Sequence, residues 1–92
     1  KPEEAAVLAS IFKVLGDASR LQLLSLIASR PEHDACGCEL IEPLGRAQPT
    51  ISHHLKVLYE AGLVGKERRG SWIYYQIVPE RIEDLRNVLA IS

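Results

Sequence analysis

Ninety-two residues carrying 11 Lys and Arg against 12 Asp and Glu make one small, nearly neutral domain. A chain this short buries a modest core and often gains stability by oligomerising. No apolar run reaches membrane-spanning length and no secretory signal pattern opens the chain. It begins at Lys1 rather than Met, as expected of a segment trimmed from a longer chain. The two cysteines, Cys36 and Cys38, stand one residue apart. Joined, they would close a tiny, strained ring, and no other pair exists, so a reducing, cytoplasmic setting is expected.

Leu8, Ile11, Phe12 and Leu15 recur at i, i+3, i+4 and i+7 and predict an amphipathic helix over about residues 3–15, ended by Gly16. Asp17 is placed to cap a second helix running to about Ala28. Leu21, Leu23, Leu24, Leu26 and Ile27 make that helix apolar on most sides, which puts it in the middle of the core. Pro31 closes it, and residues 31–38 read as a loop. A short helix is predicted from about Cys38 to Leu44, stopped by Gly45. A longer one runs from Gln48, with Pro49 in its first turn, to Ala61, with Gly62 after it. The pair makes a helix-turn-helix candidate over about residues 38–61.

After Gly62 the period changes. "LVGKER" and "WIYYQIV" bracket "RGS" and predict a β-hairpin over about residues 63–78 with Gly70 in its turn. Pro79 opens a final helix over about residues 79–91 with Ile82, Leu85, Val88, Leu89 and Ile91. A hairpin directly after a recognition-type helix is a winged helix. The expected fold is therefore mainly α with a small β-hairpin, in the order α-α-α-α-β-β-α, as one DNA-binding domain over residues 1–92.

On a wheel of 3.6 residues per turn, Ile51, Leu55 and Leu58 form one stripe of the longer helix. Pro49, Ser52, His53, Lys56 and Glu60 lie opposite, with Gln48 and Thr50 at the N-terminal tip. A polar, partly basic stripe backed by an apolar one suits a helix lying in a major groove, where Gln can pair with adenine and Ser, Thr and Lys position on phosphate. Any solvated helix face carries similar residues. What favours DNA is the basic hairpin tip, Lys66, Arg68 and Arg69, suited to phosphates or a minor groove. Residues 43–78 hold a local +3 while the remainder holds −4, a division that places the anion-facing surface in the middle of the chain. His54 falls at the edge of the apolar stripe and is expected to be packed and hydrogen-bonded.

"IFKVLGDASRLQLLSLI", "CGCEL", "QPTISHHLKVLYEAGLV" and "RRGSWIYYQI" together resemble the ArsR/SmtB family of bacterial metal-responsive repressors. The resemblance runs from about Leu8 to Val78, and the Cys-x-Cys is most like the arsenite- and antimonite-sensing branch. It implies a homodimer joined through the first and last helices, bound to palindromic double-stranded operator DNA and released by metal. There are departures. Ala47 stands where members commonly carry a capping Ser or Thr, and Ile41 stands where arsenite sensors often carry a third cysteine. Residues 79–92 contain no His, which argues against the zinc site of the last helix.

Side chains two apart point to opposite sides of an α-helix, so Cys36 and Cys38 can hold one ion only if the backbone between them turns sharply. Gly37 is the residue best able to do that. Ligation would then unwind or re-aim the first turn of the helix that packs on the recognition helix. Thiolates favour soft ions. The expected inducer is arsenite or antimonite bound by Cys36 and Cys38, with cadmium, lead or zinc as alternatives and no organic cofactor. A third ligand is left to an upstream or partner-chain cysteine, an exogenous thiol or water, with His33 and Asp34 close enough in sequence to assist a harder ion. A thiol-based redox regulator ranks lower, because Asp34 and Glu39 beside the pair disfavour thiolate. No nucleophile–base set, phosphate-binding glycine loop or cofactor motif points to an enzyme.

Overall fold

The structure, a computed structural model, describes residues 1–90. Ile91, assigned above to the last helix, lies outside the described residues. Helix α1 (Pro2–Leu15) and helix α2 (Ala18–Ser29) meet at Gly16 and Asp17. The Asp17 carboxylate caps α2 by accepting from the Arg20 backbone N–H at 3.0 Å, and that bond holds its carboxyl below the ordinary carboxylate range. A short strand β1 (Asp34–Cys36) and one 3₁₀ turn (Gly37–Glu39) follow, then α3 (Ile41–Leu44) and α4 (Gln48–Glu60). The wing is β2 (Val64–Arg69) and β3 (Trp72–Ile77), and α5 (Pro79–Leu89) ends the described chain.

Two expectations change. Residues 34–36 are a strand rather than loop, because they pair antiparallel with β3: Asp34 opposite Gln76, Ala35 opposite Tyr75, Cys36 opposite Tyr74. The sheet is thus three-stranded, in the order β1-β3-β2, not a lone hairpin. Three residues carry too little pattern to announce a strand, and the partner supplies what local propensity does not. The first helix of the helix-turn-helix, assigned from Cys38, instead opens as the 3₁₀ turn and becomes α-helical only at Ile41.

One core unites the elements. Leu23 and Ile27 of α2, Leu40 just before α3, Ile51, Leu55 and Leu58 of α4, and Leu63 and Val64 at the root of the wing are all essentially inaccessible. No polar or charged side chain is buried with them among the described residues, so water exclusion and close packing hold the fold. Ile11 is the one buried residue of α1 and Leu85 that of α5. Val7 and Phe12 of α1 and Val88 and Leu89 of α5 are exposed apolar residues, and Phe12 and Val88 line one shared groove. Contrary to its even apolar pattern, α2 leaves Leu21 half exposed.

Candidate nucleic-acid interface and thiol site

Helix α4 divides as its wheel requires. Ile51, Leu55 and Leu58 face the core, while Gln48, Pro49, Thr50, Ser52, His53, Lys56 and Glu60 are exposed. Pro49 sits in the first turn, where its missing N–H costs nothing. Ala47 offers no side-chain cap. The left-handed Gly45 (φ 64°) ends α3 and aims the chain into α4. His54 is half-buried, with Arg20 Nη1 3.4 Å from its Nδ1, while the Arg20 Nε donates to the Val14 carbonyl at 2.7 Å. One arginine of α2 thereby ties the α1–α2 corner to the back of α4.

The hairpin sorts its basic residues by strand alternation. Lys66 and Arg68 share a face with Val64, the side toward α4, and the Lys66 ammonium lies 4.4 Å from the centroid of the Tyr59 ring. They extend the exposed stripe of α4 into the wing. Arg69 is on the other face. It donates to Glu67 and, at 2.8 Å, to Asp34 of β1, with its guanidinium 4.1 Å over the Tyr74 ring. The structure therefore gathers eight of the nine candidate DNA residues on one side and turns Arg69 away. The Arg69–Asp34 contact spans 35 positions, and no local pattern announces it.

The cysteines converge. Cys36 ends β1 fully buried, Cys38 sits exposed in the following turn, and their Sγ atoms are in direct contact across a Cα–Cα distance of 5.2 Å. A strand ending in a 3₁₀ turn swings both side chains to one side, as neither an α-helix nor an extended strand does. Cys36 acts as N-cap of the turn, its sulfur accepting from the Cys38 N–H at 3.2 Å, and the Glu39 carboxylate reaches back to the Cys36 N–H at 3.0 Å. This is a capping box with sulfur in place of a hydroxyl. Arg30 clamps the other Glu39 oxygen at 2.7 Å. The Cys36 N–H first, and then Arg30, hold the Glu39 carboxyl below its ordinary range.

The role given to Gly37 is also corrected. It does not use a positive φ, and a Cβ there would meet Tyr75 Cε2 at 3.6 Å and Leu55 Cδ1 at 3.7 Å, ordinary contacts. The turn holding the cysteines thus packs directly on the core side of α4. Neither His33 nor Asp34 joins the sulfurs. Asp34 is engaged by Arg69, and His33, in a left-handed conformation (φ 55°), lines a groove between α2 and α5. Among the described residues no group of three or more His, Cys, Asp and Glu is gathered as a metal would require. Two convergent sulfurs suit a thiophilic centre with at least one ligand from elsewhere. Asp34 and Glu39 are each paired with an arginine, Arg69 and Arg30 respectively.

A recognition helix seated on a short supporting helix, with a basic hairpin beside it, defines a winged helix-turn-helix DNA-binding protein. Residues 17–66 match the model of the arsR family of bacterial regulatory proteins. The chain is 43% identical over 77 residues to an HTH-type transcriptional regulator of Methanocaldococcus jannaschii, covering 84% of each. It is 44% identical over 70 residues to the arsenic resistance transcriptional regulator ArsR1 of Pseudomonas putida, covering 76% of this chain and about half, 53%, of that protein's length. Among solved structures, the homodimeric winged helix-turn-helix domain of a possible ArsR-family regulator from Mycobacterium bovis superimposes with a TM-score of 0.74 at 26% identity, covering 95% of this chain and 76% of that one. The chain belongs to the arsR family. It is a regulator of transcription rather than an enzyme, and no helix among the described residues is long and apolar enough to cross a membrane.

Proposed function

We propose that the protein is a cytoplasmic, homodimeric repressor of the arsenical-resistance type. It holds palindromic operator DNA through Gln48, Pro49, Thr50, Ser52, His53, Lys56, Lys66 and Arg68, and leaves it when arsenite or antimonite is bound by Cys36 and Cys38. The observation that carries this reading is the convergence of the two sulfurs on a turn that rests against Leu55 of α4. The arsenic-resistance regulator of Pseudomonas putida supports the choice of ligand. Exposed Val7, Phe12, Val88 and Leu89 supply the apolar surface for pairing through α1 and α5, as does the homodimeric Mycobacterium bovis domain. The clasp is a two-state element: reorganising the turn moves the footing of α3 and α4 and so lowers DNA affinity.

The test is fluorescence anisotropy of a duplex recovered by selection from random DNA, with the protein reduced. Arsenite and antimonite are expected to release the wild type at lower concentrations than cadmium, lead or zinc, and Cys36→Ser and Cys38→Ser are expected to stay bound. Release from the serine variants would overturn the assignment. The direct sulfur contact favours one second reading: a peroxide takes two protons and two electrons from the thiol pair, leaving a disulfide and two waters. Release by hydrogen peroxide with no response to arsenite would select that reading instead.

A further inference from the structure

We infer that Asp34 and Arg69 form a strap that couples the cysteine pair to the wing, so that what the sulfurs hold is felt at the hairpin tip as well as in α4. The inference rests on the proposed role of the thiols and adds a second route to it. Asp34 and Cys36 are two apart on β1 and share one sheet face, opposite Gln76 and Tyr74 of β3. Arg69 belongs to β2, which does not touch β1, since β3 lies between them. Its guanidinium crosses the middle strand over the Tyr74 ring and reaches Asp34 at 2.8 Å while its Nε holds Glu67. All three strands are thus tied on the face that Cys36 shares. Arginine's planar fork allows two carboxylates to be held at once, which a lysine does not reproduce.

The ends of the strap matter. Arg69 is the last residue of β2, beside Gly70 of the turn and opposite Trp72. Asp34 is the first residue of a strand only three residues long, so few ladder bonds resist its displacement. Spreading the sulfurs to admit an ion shifts the end of β1 and, through Asp34 and Arg69, pulls on the tip of the wing, on the sheet face opposite Lys66 and Arg68. Arg69 accordingly spends its charge on Asp34 and Glu67 instead of on phosphate. With Arg69 43% accessible the pair is exposed on one side only, Asp34 being 16% accessible, and an ion pair open to water on one side contributes modestly to stability. A coupling role therefore separates cleanly from a structural one.

The experiment measures the factor by which arsenite weakens binding to the selected duplex, for the reduced full chain and for Asp34→Asn, Arg69→Gln and both together. Each single change is expected to cut that factor by up to about fivefold, the upper end of what a surface ion pair contributes. The double variant is expected to fall no further, because both remove one contact. Trp72 is the only tryptophan and reports the wing directly. Its fluorescence is expected to change when arsenite is added to DNA-free wild type and to stay still in Asp34→Asn. An undiminished factor in Asp34→Asn, additive losses in the double variant, or an equal Trp72 response in both proteins would overturn the strap. Cys36→Ser and Cys38→Ser run in parallel: if arsenite still releases them, the thiol assignment itself fails and takes the strap with it.

Discussion

Replacing Gly37 by alanine should leave the protein at least as stable as wild type, although Gly37 stands between the two cysteines. Its φ is not positive, and the added methyl would sit 3.6 Å from Tyr75 Cε2 and 3.7 Å from Leu55 Cδ1, at van der Waals contact. Removing glycine's freedom in the unfolded chain at a compatible site gains about 0.4–1 kcal/mol. Gly45 is the control. Its φ is 64° and nothing lies within 4 Å of a Cβ there, so alanine meets no neighbour and only the backbone objects. A left-handed alanine costs about 1–2 kcal/mol. The two variants should therefore differ by about 2 kcal/mol with opposite signs. Urea unfolding of reduced protein at one fixed concentration measures this. With a slope of roughly 1–2 kcal/mol/M, the midpoints separate by about a molar or more. A Gly37→Ala variant as unstable as Gly45→Ala would refute the account of the turn, because it would mean that residue 37 needs a conformation open only to glycine.

Lys56→Ala and Arg68→Ala should each lower operator affinity and reduce the slope of log affinity against log salt by about 1, read from anisotropy across a salt series. Unchanged slopes would remove both from the phosphate contacts. Ala47→Ser should stabilise the fold by about 1 kcal/mol in the same urea assay, since α4 begins without a side-chain cap; no gain would mean that its first N–H groups are already satisfied. Glu39 has a folded pKa below its ordinary 4.5, so its contribution is full above that pH and is lost as pH falls through the lower folded value. Glu39→Gln should therefore lose less stability than wild type on acidification below about pH 4.5. Parallel acid curves would assign the depression elsewhere.

Much of this architecture is legible in the chain because helices announce themselves by period and by punctuation. Asp17 caps α2 as its type and place require, and Gly45, Gly62 and Gly70 all take positive φ where the chain turns. Ile51, Leu55 and Leu58 are buried as the wheel demands. What eluded the sequence is long-range. Strand β1 exists because Tyr74, Tyr75 and Gln76 are there to pair with it, some forty positions away. Arg69 looks like a third basic tip residue until the fold brings Asp34 to it. The capping box at the thiol turn was available in principle, since Glu39 follows Cys36 at the right spacing. A cysteine in the place of serine conceals it, and with it the reason the sulfurs meet without a glycine-specific bend.

Linkage gives the most direct measurement of the central claim. If a ligand on Cys36 and Cys38 weakens the grip on DNA, then DNA must weaken the grip on that ligand by the same factor. Arsenite affinity should be measured by titration of the reduced protein, alone and saturated with its selected duplex. The account predicts weaker arsenite binding in the complex, by the ratio at which arsenite lowers duplex affinity. Equal arsenite affinities in the two states would contradict it.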